Sequence, residues 1–160
     1  SLGGERMKWT IHELIRIYNQ DNTFEGDIDF KDWIENTDII RISNCHVEGE
    51  FEIYNNEEFV FYFDIDCTLT LPCAITLKEV DYRINVSVEE TLSTVKNEDF
   101  HIIEGITVDL LPIIWSNIVL EKPMRVLSEN AYDDFSENNI ELEADENEKN
   151  AFSKLKNFKN

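Results

Sequence analysis

The sequence predicts an α+β fold built on an antiparallel, open or barrel-like β-meander covered by two helices. Three observations carry this. First, His46 to Glu89 contains three successive runs that alternate strictly between apolar and polar residues. Second, one stretch carries a helix start signal and another is a long apolar helix candidate, and these stand on either side of the alternating runs. Third, the composition changes sharply at Ser128, where acidic residues crowd in and apolar ones thin out.

In the first run Val47, Gly49, Phe51 and Ile53 alternate with His46, Glu48, Glu50, Glu52 and Tyr54. In the second, Phe59, Phe61, Phe63, Ile65, Cys67, Leu69 and Leu71 alternate with Val60, Tyr62, Asp64, Asp66, Thr68 and Thr70. In the third, Val80, Tyr82, Ile84, Val86 and Val88 alternate with Asp81, Arg83, Asn85, Ser87 and Glu89. Successive side chains of a strand point to opposite faces, so this period marks strands with one dry and one wet face. Asn55-Asn56-Glu57-Glu58 supplies the turn between the first two. The wet face is acidic, and the dry face requires a cover.

Before these strands, Thr10 with Glu13 three residues on forms a capping box for a helix running to about Tyr18. Ile11, Leu14, Ile15 and Tyr18 give it one apolar stripe. Phe24, Gly26, Ile28 and Phe30 alternate with Glu25, Asp27 and Asp29, the pattern of a short strand. Lys31 to Ile40 holds a short helical turn. Ser1 to Arg6 precede a Met-Lys-Trp that reads as a natural start, and they stay outside the fold expectation.

Beyond Glu89, Thr91 to Asp99 is polar and reads as a loop. Phe100 to Ile103 is a candidate strand and Glu104-Gly105 a turn. Asp109 reads as the N-cap of a second helix over Leu110 to Leu120, with Pro112 tolerated in its first turn and Pro123 after its end. That helix is apolar nearly all round, so it should be the more buried of the two.

Residues 7–127 therefore read as one domain, followed by an acidic linker over 128–150. That linker lacks the apolar surface to offset its conformational entropy and is expected to be disordered. In residues 151–160, Phe152, Leu155 and Phe158 recur every third residue among Lys154, Lys156 and Lys159. This segment either packs loosely back on the domain or serves as a short linear motif for a partner, and its lysines equally suit rRNA phosphates.

Net charge is −20, from 34 acidic against 14 basic residues. Nucleic-acid binding draws on Lys and Arg releasing counterions from phosphates, so such a field favours a basic protein partner over naked RNA. The three cysteines, without a CxxC pair, suit reduced thiols and a cytoplasmic protein, and Cys67 falls on the dry face as a small apolar residue. No apolar run approaches the ~20 residues of a membrane span, and no Gly-rich phosphate loop is present. His12, His46 and His101 show neither HxH nor HExxH spacing, so they argue for neither a metal centre nor a nucleophile triad, and no cofactor or small-molecule substrate is expected. Asp64 and Asp66 share a strand face and pose a hydrolase reading, but a solvated acidic face explains them without catalysis. The candidate partner-binding residues are Glu48, Glu50, Glu52, Asp64 and Asp66 on the sheet and Phe152, Lys154, Leu155, Lys156 and Phe158 at the end.

Several segments, in order, carry a resemblance. They are Met7-Lys8-Trp9-Thr10-Ile11-His12-Glu13-Leu14, Val47-Glu48-Gly49-Glu50, Leu71-Pro72-Cys73-Ala74-Ile75-Thr76-Leu77, Ile106-Thr107-Val108-Asp109-Leu110-Leu111-Pro112-Ile113, Asn117-Ile118-Val119-Leu120-Glu121-Lys122-Pro123-Met124 and Lys154-Leu155-Lys156. Together the chain resembles the YceD-type large ribosomal RNA subunit accumulation proteins. The resemblance implies a non-enzymatic ribosome-biogenesis role in large-subunit rRNA accumulation, through a basic ribosomal protein, an assembly factor or rRNA. A general acidic adaptor unrelated to ribosomes is the alternative. Where many such proteins carry a second cysteine, this chain has Thr76, so no two-thiol site is expected at Cys73; Pro72 and Cys73 shape the connection into the next strand.

Overall fold

The structure, a computed structural model, describes residues 2–3, 6–129 and 131–132. Two short strands open it, β1 (Leu2–Gly3) and β2 (Lys8–Thr10), followed by helix α1 (Ile11–Ile17) and β3 (Thr23–Ile28). A single 3-10 turn at Lys31–Trp33 leads to β4 (Arg41–Ile42), then β5 (Cys45–Tyr54), β6 (Glu58–Pro72) and β7 (Glu79–Ser93). β8 (His101–Ile102), β9 (Thr107–Asp109) and helix α2 (Leu111–Glu121) complete it.

The fold is α+β, as expected, with a seven-stranded sheet in the order β1-β3-β5-β6-β7-β8 and β4 paired on β6. Two features refine the expected sheet. It is mixed, because β1 runs parallel to β3 and β8 parallel to β7, while β3–β5, β5–β6 and β4–β6 are antiparallel. It is also open: the path ends at β1 and β8, and no ladder joins them among the described residues. Barrel closure needs long edge strands in matched register, and both edges here are two residues long. Leu2–Gly3, left out of the sequence expectation, supply one of those edges.

The β5–β6 hairpin turns through Asn55 and Asn56, both at φ 55. Asn tolerates this left-handed region better than other side chains, which suits it to a tight hairpin. β7 runs further than its pattern indicated. Thr91 to Ser93 belong to the strand, with Leu92 and Ser93 buried and paired with His101 and Ile102. Their polar neighbours hid this continuation. A second, two-stranded sheet was also not legible: β2 pairs antiparallel with β9, Trp9 opposite Val108.

The chain falls into two compact units. The first comprises residues 1–71 and 81–124, the second 72–80 and 125–160. The core of the first unit lies on the dry face, where Phe24, Val47, Phe51, Phe59, Phe61, Ile65, Leu69 and Ile84 are buried. Trp9 lies against it, 5.5 Å from Phe24 edge-on and 6.3 Å from Phe61 in a stack. Helix α1 carries the expected capping box: the Glu13 amide donates to Thr10 Oγ1 at 3.1 Å, and Glu13 Oε1 accepts from the Thr10 amide at 2.9 Å. Leu14 is its buried anchor, and Tyr18 packs on Phe51.

Helix α2 starts one residue later than expected. Asp109 ends β9, yet its carboxylate still accepts from the Leu111 amide at 3.1 Å. Ile113, Ile114 and Ile118 are buried, whereas Leu120 is 78% exposed, so the last turn is apolar but uncovered within the first unit. Phe30, Trp33 and Trp115 form an aromatic cluster beside the helix.

In the second unit, Pro72 to Val80 make the connection into β7. The Cys73 amide donates to the Lys78 carbonyl at 2.7 Å, and the Ala74 amide donates to the Val126 carbonyl at 2.9 Å. Leu77, at φ 67, closes the turn by donating its amide to the Cys73 carbonyl. Among the described residues of the expected acidic linker, Ala131 is buried. Residue 130 and residues 133–160 lie outside the described set, and with them the terminal candidates Phe152, Lys154, Leu155, Lys156 and Phe158. Among the described residues no helix is long and apolar enough to cross a membrane.

Candidate functional site

The wet face of β3, β5 and β6 is built by register. Glu25 lies opposite Glu48, which in turn lies opposite Asp64. One step along, Thr23, Glu50 and Tyr62 form a second row, and on the other side Asp27, His46 and Asp66 form a third. A groove of about 680 Å³ runs over this surface. Glu25, Glu48, Glu50, Asp64 and Glu89 line it together with Tyr62, and among the described residues no Lys or Arg does. Removal of water, and after it the charge of nearby Glu89, holds the Tyr62 hydroxyl above its ordinary value.

The sheet therefore gathers Glu48, Glu50 and Asp64 into one concavity. Glu52 stands apart, its Oε1 accepting from the Tyr18 hydroxyl at 2.7 Å. Asp66 is also set apart: Arg83 donates to both of its oxygens, from Nε at 3.1 Å and Nη2 at 3.0 Å. That guanidinium holds the Asp66 carboxyl below its usual range. Asp64 accepts from the Ser87 hydroxyl at 2.5 Å. The two aspartates thus share a face but not an environment.

Sequence reading missed Glu25, Tyr62, Glu89 and His46 as members of this surface. Alternation did place Glu25, Tyr62 and Glu89 on polar faces. What it could not supply is that β3 pairs with β5, because that contact is not between consecutive long strands. The same pairing assembles a histidine cluster. His46 Nδ1 lies 2.8 Å from Asp27 Oδ1, and His46 Nε2 lies 3.2 Å from Glu25 Oε2 and 3.1 Å from Glu48 Oε1. Hydrogen bonds with Asp27 and then Glu48 hold the imidazole above its ordinary value.

All three cysteines are free and buried. Contact with the Cys67 thiol, followed by burial, pushes Cys45 up. In the second unit Cys73 behaves differently. Burial pushes its thiol up, but hydrogen bonds from Ser128 and Thr76 more than reverse this and bring it down to about 6. Its sulfur also accepts from the Ile75 and Thr76 amides, each at 3.4 Å. The thiol is thus woven into its turn, which accounts for its place after Pro72.

Comparison with known proteins places this geometry in context. The family model described as "Large ribosomal RNA subunit accumulation protein YceD" matches residues 61–159. An uncharacterised Bacillus subtilis (strain 168) protein, YlbN, is 33% identical over 129 residues, covering 77% of this chain and 74% of the relative. No solved structure matches the chain. The family match includes Tyr62, Asp64 and Glu89 of the groove, while Glu25, Glu48 and Glu50 come from strands that precede it.

Proposed function

The chain belongs to the YceD family of large ribosomal RNA subunit accumulation proteins, and from that premise we propose that it is a non-enzymatic ribosome-biogenesis factor. It supports large-subunit rRNA accumulation by holding a basic ribosomal protein or assembly factor on the acidic sheet face. The observation that carries this reading is the groove itself, lined among the described residues by five carboxylates and no Lys or Arg. His46 stands beside Glu25 and Glu48, but no described Lys or Arg in the lining offsets Glu50, Asp64 and Glu89, so a Lys- or Arg-rich segment gains from entering it. Such a segment otherwise seeks phosphate, and the groove presents an alternative array of anionic oxygens.

The non-enzymatic part rests on two supports. A general acid needs a carboxyl raised toward neutrality, and Asp66 is shifted the other way. The groove is also open to solvent, whereas catalysis draws on sites that exclude water. The protein acts in the cytoplasm in this reading, where ribosomes are assembled.

Sucrose-gradient fractionation tests the proposal, comparing cells with the protein, cells without it, and cells carrying Glu50→Gln, Asp64→Asn and Glu89→Gln together. Loss of large subunits without the protein, reproduced by the triple variant, is the expected result. A normal profile without the protein removes the ribosome role and leaves a general adaptor. Full rescue by the triple variant would instead keep the role and remove the groove from it.

A further inference from the structure

Antiparallel register sets Glu25 directly opposite Glu48, and Asp27 directly opposite His46. Like charges facing each other across two strands destabilise a sheet unless something positive stands between them. His46 occupies that place. A carboxylate oxygen can only accept a hydrogen bond, so the 2.8 Å contact to Asp27 fixes the hydrogen on Nδ1. With a proton on Nε2 the ring also donates to Glu48 Oε1 at 3.1 Å; once that proton is gone, Nε2, Glu48 Oε1 and Glu25 Oε2 at 3.2 Å turn three lone pairs toward one point.

We propose that Glu25, His46 and Glu48 are ligands of a divalent zinc-type cation, with Asp27 orienting the imidazole. The three donor atoms lie within 4.8 Å of one another. Zinc bonds to His nitrogen and carboxylate oxygen are about 2.0–2.2 Å, which puts donors on one ion roughly 3–3.5 Å apart. The two His–Glu spacings already match. Two carboxylates and a neutral imidazole bring a charge that a divalent ion cancels. The mixed nitrogen and oxygen set suits Zn²⁺ better than Mg²⁺ or Ca²⁺, which take oxygen. Asp27 plays the part that a carboxylate behind a metal-bound histidine commonly plays, fixing tautomer and ring plane. The ligands come from two hydrogen-bonded strands, a rigid base for a site. His46 is 39% exposed, which leaves the ion open to water at its remaining positions. This inference does not depend on the proposed ribosomal role.

A proton on Nε2 competes for the position, and titration of the full chain with Zn²⁺ separates the two. Calorimetry should give one Zn²⁺ per chain, with X-ray absorption showing nitrogen and oxygen ligands. Binding should vanish in His46→Asn, weaken in Glu25→Gln and Glu48→Gln, and fall about ten- to a hundredfold in Asp27→Asn. Unchanged circular dichroism in each variant confirms that the exposed face was altered without loss of fold. Three results would overturn the site: equal affinity in His46→Asn, sulfur ligands that place the ion at a cysteine, or failure to saturate below millimolar Zn²⁺.

Discussion

Gly49 on β5 lies directly opposite Phe63 on β6, and a Cβ on Gly49 would stand 2.6 Å from both the Cα and Cβ of Phe63. It would come closer still to the Tyr62 carbonyl oxygen. The obstacle is the backbone of a central strand, which cannot swing aside as a flexible side chain can. Glycine is required here by space, since the two strands approach where any side chain would intrude.

Gly49→Ala should therefore destabilise the protein by about 1–3 kcal/mol or more, the usual range for overpacking a filled core. Urea unfolding followed by far-UV circular dichroism reads the change as a lower midpoint with an unchanged slope. A midpoint equal to the parent would show that β5 and β6 separate without cost at this point.

Thr10 and Glu13 should behave as a coupled unit. Thr10→Ala removes one half of the capping box and should lose about 1 kcal/mol. Adding Glu13→Ala to that variant should cost less than Glu13→Ala alone, because its partner at the helix start is already altered. A double-mutant cycle measures the coupling, and strict additivity would contradict it.

The aromatic cluster should carry a larger share of stability. Phe30 is fully buried, with ring centroids 5.3 Å from both Trp33 and Trp115. Phe30→Ala should cost about 3–5 kcal/mol, as for other large core deletions. Trp33 and Trp115 should gain water in the same variant, seen as a red shift of tryptophan fluorescence. Stability loss without that shift would place the damage elsewhere.

Cys73 should make stability depend on pH. Its folded value is about 6 against an ordinary 9.0, so between these limits the unfolded chain binds more protons than the folded one. Stability then rises with pH through that window. The contribution is fully present above the ordinary value and is lost as pH falls through about 6. The urea midpoint of the parent should climb relative to Cys73→Ser from pH 6 to pH 9, and thiolate absorbance at 240 nm should grow in near the lower limit. A flat difference between the two proteins would contradict the hydrogen bonds from Ser128 and Thr76.

The parts legible in the sequence were those whose signal is local and long. β5, β6 and β7 each declare a face by alternation, and Thr10 with Glu13 marks a helix start within one turn. β2 and β9 escaped notice because three residues are too few to show a period, and the two strands lie far apart in the sequence. β8 lies within the strand expected over Phe100 to Ile103, and only its parallel pairing with β7 was not legible. The polar faces of β5 and β6 were legible residue by residue, so Glu48, Glu50 and Asp64 were found. Strand order was not, so Glu25 and His46 read as unrelated although register sets them side by side. Asp66 and Glu52 were singled out by alternation alone, and only the fold reveals that Arg83 and Tyr18 occupy them.

The Asn55–Asn56 turn has a kinetic consequence. It brings Tyr54 and Glu58 together across a loop so short that the entropy of closure is small, and the ladder can then zip toward His46 and Asp66. The strap between β2 and β9 lies at the other extreme, joining Lys8 to Asp109 across most of the domain. Contacts of low sequence separation form early, and those of high separation wait for the rest of the chain to be in place. Folding thus starts at the hairpin tip and ends at the strap, so mutations in the hairpin should slow refolding while those in the strap should hasten unfolding. Much of the acidic groove thus lies on the part of the sheet that assembles first, and β2 is the strand that lets go first.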